Sequence, residues 1–113
     1  MITEFTIRRG DLIAETYMDM NGCACCLGQY LLACGAENVF GVPSNTAPLD
    51  VVFSTHVDGF TVFDLITRNN DAIVRYCDSD EQRTEREATI VAAFGAMGVT
   101  ATFTGKYACS TSE

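Results

Sequence analysis

Gly22-Cys23-Ala24-Cys25-Cys26-Leu27-Gly28 is the stretch on which the reading of this chain turns. It holds three thiols and two glycines, and it begins with the second residue of Asn21-Gly22, a pair suited to a type I′ turn. Beyond it the apolar period changes. Leu27, Tyr30, Leu31 and Cys34 recur at i, i+3, i+4 and i+7, which places them on one helical face. A helix over residues 25–34 is expected, ended by Gly35 in the position where a left-handed residue closes a helix. Gly28 inside that helix costs about 1 kcal/mol relative to alanine, so another element should pack closely there.

Working outward, residues 4–7 read Glu-Phe-Thr-Ile, an alternating strand pattern broken by Arg8-Arg9-Gly10-Asp11. Residues 12–18 favour a second strand, turning through Asn21-Gly22 into Cys23-Ala24. On the other side, Val39 and Phe40 are candidate core residues. Pro43 and Pro48 mark residues 42–48 as loop. Residues 49–53 suit either helix or strand, and Asp58-Gly59 signals a turn. A helix from Phe63 to about Arg68 should end in the polar run Arg68-Asn69-Asn70-Asp71.

Ser79-Asp80-Glu81-Gln82 has the form of a capping box and opens the clearest helix, residues 79–97. Ile90, Val91, Phe94 and Met97 supply its apolar stripe, and Arg83 and Glu87 are spaced to pair. Gly98 stops it, and residues 99–103 alternate as a strand. The fold class is therefore α+β: a small, mostly antiparallel sheet from residues 4–7, 12–18 and 99–103, with two or three helices packed on one face. Residues 1–113 form a single domain, with about 110–113 as a frayed tail.

Composition bounds the function. A chain of 113 residues with 48% apolar and 19% charged residues supports one packed core. Its net charge of −8, with seven Lys and Arg in all, excludes a phosphate-backbone binder, so no nucleic-acid partner is expected. No apolar run approaches the about 20 residues of a membrane span, and no signal peptide is visible, so a cytoplasmic protein without membrane contact is expected.

Six cysteines without a secretory signal argue against a disulfide framework. Cys23 and Cys26 match half of a zinc knuckle, but Cys34, Cys77, Cys109 and His56 provide no second pair. Buried, reduced thiols are expected, with no metal and no cofactor. A cysteine enzyme is an alternative, with Cys25 or Cys26 activated by a helix N-terminus, but nothing brings His56, the sole imidazole, near them. Asp64, Asp71, Asp78, Asp80 and Glu81 are explained by turns and helix starts without catalysis.

Several of these motifs together resemble a family of small, uncharacterised bacteriophage and prophage proteins. The matching residues are Phe5-Thr6-Ile7 with Arg9-Gly10, then Cys25-Cys26-Leu27-Gly28 and Cys34-Gly35. Gly41, Pro43, Leu65 and Asn70-Asp71 follow. Arg86-Glu87-Ala88 with Ile90 and Phe94, and then Gly98-Val99 with Phe103, complete the match. It spans most of residues 4–103, with the Cys-Cys-Leu-Gly run its most specific part and about residues 44–62 departing from it. The resemblance implies a phage origin, a small α+β fold and the cytoplasm of an infected bacterium. It implies no activity and transfers no site residue.

A non-enzymatic binding protein serving anti-defence or host takeover is expected by analogy with such small phage proteins. In the first version it sequesters a small nucleotide-type immune signal. Arg8, Arg9, Arg68 and Arg75 would hold phosphates, and Tyr17, Tyr30 or Tyr76 would stack on a base. In the second it blocks a host defence protein, with Asp78, Asp80, Glu81 and Glu85 facing a basic partner. The count of large apolar groups suggests a homo-oligomer, with Val51-Val52-Phe53 and Phe60 as its interface.

Overall fold

A computed structural model describes residues 2–14, 23–35 and 47–107. The chain begins in strand β1 (Glu4–Arg8), followed by a single 3-10 turn at Arg9–Asp11. Helix α1 spans Cys26–Ala33 and α2 spans Ala47–Ser54. A hairpin of β2 (His56–Val57) and β3 (Phe60–Thr61) leads directly into α3 (Val62–Arg75). Helix α4 (Asp80–Ala96) and strand β4 (Thr100–Thr104) complete the order. The class is α+β, as expected from the sequence.

The strand pairing is not the expected one. β1 and β4 lie side by side in parallel, Phe5 opposite Ala101 and Ile7 opposite Phe103. Among the described residues only the two-residue β2–β3 hairpin is antiparallel, turned by Asp58 and Gly59, both at positive φ as a type I′ turn requires. Parallel partners need a long crossover, and the described helices all lie between β1 and β4 in the chain. Alternation in a sequence records which face is buried and carries no direction. Residues 12–14 of the expected second strand are not in a strand; residues 15–18, the turn at Asn21-Gly22, and Val39 and Phe40 lie outside the described residues.

The inner face of the β1–β4 pair carries Phe5, Ile7, Ala101 and Phe103, with Ile7 fully buried. α1 packs on β1, α4 packs on β4, and α3 lies along α4. Phe5, Tyr30 and Phe94 meet at this junction with ring centroids 5.0–5.5 Å apart, one from β1, one from α1 and one from α4. Edge-on and tilted pairs of this kind add about 0.5–1.5 kcal/mol each beyond their burial.

The helix ends follow their capping chemistry. The Cys25 thiol accepts from the Gly28 amide at 3.3 Å, and the Ser79 hydroxyl accepts from the Gln82 amide at 3.2 Å. Gln82 reaches back to the Asp78 amide rather than to Ser79, a capping box displaced by one residue. Gly98, at φ +78°, closes α4 where a side chain would be strained. α2 begins at Ala47, so Pro48 lies in a first helical turn, where its missing N–H removes nothing.

α3 runs on to Arg75, although Asn69-Asn70 read as its end. Both asparagines are buried and have tertiary partners. Asn69 donates to the Leu65 carbonyl at 2.7 Å and accepts from Arg86 at 3.2 Å. The Asn70 carbonyl oxygen accepts from the Cys26 amide at 3.0 Å while its amide donates to the Ile13 carbonyl at 2.8 Å. Bonds to Arg86, Cys26 and Ile13, and for Asn69 one to the helical carbonyl four residues back, thus replace the turn bonds that make asparagine a turn former. Among the described residues, no helix is long and apolar enough to cross a membrane.

Candidate functional site

The expected phosphate ligands are dispersed. Arg8 is exposed and pairs with Asp11 at 2.5 Å. Arg9 grips Glu87 through two bonds of 2.7 and 2.9 Å and donates to the Gly105 carbonyl at 3.0 Å. Its guanidinium pKa is raised, chiefly by the hydrogen bond to Glu87. Arg68 lies over the Phe60 ring, 5.8 Å from its centroid, and Arg75 is exposed at the end of α3. Of the proposed base-stacking rings, Tyr30 is fully buried and offers no face to a ligand, whereas Tyr76 is 73% exposed. Tyr17 lies outside the described residues.

Tyr76 lines a hollow of about 240 Å³ with Gln82, Glu85 and Arg86. Arg86 was not among the expected residues, and Glu85 places a carboxylate beside it. A second hollow of about 260 Å³ lies over Arg8, Phe5 and Gln29. A third, of about 430 Å³, is an open trough between the β2–β3 hairpin and α4.

Glu87 has a different role from the expected one. It is 6% exposed and joins three elements, accepting from Arg9 after β1 and from the Tyr107 hydroxyl after β4. Its expected partner Arg83 turns to Asp80 at 2.6 Å and to the Cys77 carbonyl at 3.2 Å. The Arg83 guanidinium also stacks over Tyr107, 5.4 Å from the ring centre. A buried carboxylate recruits the cation that also satisfies its desolvation, and Arg9 does so across 78 positions of sequence.

The thiols lack the environment of nucleophiles. Burial pushes the Cys25 thiol up and the Cys26 thiol well up, outweighing the amides at the α1 N-terminus. Activation needs the opposite shift. Cys25, Cys26, Cys34 and Cys77 are free thiols. Tyr30 is pushed up to about 12 by burial and by the nearby Cys34 thiol. That thiol adds to the shift without hydrogen-bond geometry, since the Tyr30 hydroxyl has no bonded partner. His56 is exposed on the hairpin, its ring nitrogen 3.2 Å from the Ser54 carbonyl. Among the described residues, no three His, Cys, Asp or Glu side chains converge as a metal site would require.

The exposed surface of α4 is divided along its length. Asp78, Asp80, Glu81 and Glu85 are exposed around its first turns. Residues 88–105 carry no charge. Glu81, Glu85, Ala88 and Ala92 are spaced i, i+4, i+7 and i+11, so one solvent-facing stripe passes from acidic to small and apolar. That charge-free run is a sequence signal for the second half of the stripe. Asp58-Gly59 signals the turn of the hairpin that walls it, but not that the hairpin lies against α4. Comparison with family models, curated proteins and solved structures gives no match.

Proposed function

We propose that this chain is a binding protein without turnover that docks on a basic protein surface through the first turns of α4. The observation that carries this reading is the acidic set Asp78, Asp80, Glu81 and Glu85, exposed together on a chain of net charge −8. Asp80 is held by Arg83, and the other three form a rim whose role is to steer a basic partner and fix its register. The phage family that the sequence resembles supplies the setting, with the infected bacterial cytoplasm as location and a basic host defence protein as target.

The nucleotide reading finds support at the Tyr76 hollow, where a ring and the Arg86 guanidinium line one depression. Glu85 in the same lining opposes a phosphate there, and Arg8, Arg9 and Arg68 do not line it.

Fluorescence anisotropy with a labelled Lys-rich peptide tests the docking reading. Binding should weaken with salt, because exposed charges are screened beyond about 10 Å at 0.1 M. The pair Glu81→Gln and Glu85→Gln should weaken it about tenfold, at roughly 0.2–1 kcal/mol per exposed charge pair. In parallel, a thermal-shift panel of nucleotides, cyclic dinucleotides and ADP-ribose derivatives should leave the midpoint unmoved. Stabilisation near the about 2.7 kcal/mol expected at one hundred times Kd, from any member, would replace a protein partner by a nucleotide.

A further inference from the structure

We infer that the trough between the β2–β3 hairpin and α4 receives the apolar face of a basic, amphipathic helical segment of the partner. This rests on the docking reading above and adds where the partner's apolar side chains go. Val57 and Phe60 wall the trough on the hairpin, Leu65 lies on α3, and Ala88 and Ala92 form the α4 side. Phe60 is 46% exposed, so much of a large ring stays in water beside an open space of about 430 Å³. An apolar surface of this kind on an otherwise charged chain marks an interaction site.

The small side chains Ala88 and Ala92 let another backbone come close to α4. Asp58 and Thr89 are the polar residues of the lining, too few to orient a polar small molecule. Charge then selects the occupant. The stripe that ends in Ala88 and Ala92 begins in Glu81 and Glu85, and Asp58 adds a third carboxylate at the hairpin turn. From Glu81 to Ala92 the stripe is about 16 Å long at 1.5 Å per residue, the length of about three helical turns. A helix of that length presents apolar anchors at i, i+3 or i+4 and i+7, with Lys or Arg beside them. Arg68, held over the Phe60 ring, repels the basic end from the hairpin rim and sets the direction of docking.

The probe is a labelled synthetic peptide of Leu and Lys with leucines at helical spacing, compared with a scrambled peptide of the same composition. The amphipathic order should bind at least about tenfold more tightly, a difference of about 1.4 kcal/mol. Ala92→Gln should remove most of that advantage, and Ala96→Gln, on the same helix but outside the lining, should leave it intact. A benzophenone side chain in place of Phe60 should crosslink to the amphipathic peptide, which tests the trough independently of the helix variants. Unfolding curves confirm that each variant is folded, and Ala88→Gln serves if Ala92→Gln is not.

Unchanged affinity in the folded glutamine variants, or absence of the crosslink, overturns the trough while weakening by Glu81→Gln and Glu85→Gln leaves the acidic docking standing. Absence of binding to either peptide overturns both. A dimeric mass without peptide, abolished by Ala92→Gln, assigns the trough to a second copy and also overturns the inference.

Discussion

Asn70 is the residue that most directly joins distant parts of this chain. Its side chain caps the first amide of α1 and holds the carbonyl of Ile13, and it is 1% exposed. Truncation leaves a buried donor and a buried acceptor without partners, each at about 1–3 kcal/mol. Asn70→Ala should therefore lower unfolding free energy by about 2–6 kcal/mol in urea titrations, and a loss below about 1 kcal/mol would show that water replaces both bonds. The thiols make a second prediction at this scale. Cys25 and Cys26 keep their protons in the fold at a pH where the unfolded chain, with thiols near the ordinary 9.0, has begun to lose them. The folded state then binds more protons than the unfolded state, so stability is fully present below pH 9.0 and falls as pH rises above it. The limiting slope is about 1.4 kcal/mol per pH unit for each thiol. Tyr30, raised from 10.0 to about 12, adds to the fall above pH 10. Urea midpoints across the alkaline range should decline in this order, and Cys26→Ala should make the first part of the decline shallower.

At the scale of elements, the ends of helices were more legible than their partners. Ser79 and Gly98 stand at the ends of α4 because caps are local chemistry, written within four residues of where they act. Ser79→Ala should cost about 1 kcal/mol, read from the same denaturation curves. The Asn69-Asn70 pair misled because its partners come from Leu65, Arg86, Cys26 and Ile13, the last two far away in sequence. The Glu87 pairing was misread for the same reason. Arg83 at i−4 fits local helix spacing, but Glu87 faces the core and meets Arg9. Asp78, Asp80, Glu81 and Glu85, named from the sequence as facing a partner, are exposed, and so is Tyr76, named as a stacking ring. The trough was not legible, since its walls come from a two-residue hairpin, α3 and α4. The Glu87 junction gives a further prediction. Glu87→Ala leaves the Arg9 cation and the Tyr107 hydroxyl without the buried carboxylate, and should cost about 3–5 kcal/mol. Arg9→Met with Glu87→Leu removes charge and partner together and should cost much less, because no uncompensated ion remains. Equal losses in the two variants would show that packing, not charge pairing, holds the junction.

For the whole molecule, the question raised by seven Phe, four Tyr and four Met is how much apolar surface one core covers. Much of it goes inward. Val52, expected at an interface, is fully buried in the core with Val62, Ile66 and Ile73. Among the described residues, the large apolar side chains left exposed are Phe53, Phe60, Tyr76 and Val91. Of the residues expected at a contact between copies, Phe53 and Phe60 stay exposed; Phe60 walls the trough, and the contact is assigned to Phe53 on α2. Phe53 is 49% exposed and stacks on Phe63 of α3 with ring centroids 4.5 Å apart, so one face is covered and the other meets water. A two-fold axis beside α2 would bring two such rings together and cover both outer faces, an isologous contact. Phe53 does not line the hairpin–α4 trough, so this pairing leaves the trough free for a partner. Light scattering at micromolar concentration should give an oligomeric mass that falls to the monomer in Phe53→Asp, while the amphipathic peptide keeps its affinity for that variant. Because Phe53 is half in solvent already, the substitution should cost little stability, which separates loss of association from loss of fold. A monomeric mass for the wild-type chain would reject self-association, and an oligomeric mass unchanged in Phe53→Asp would move the contact away from α2.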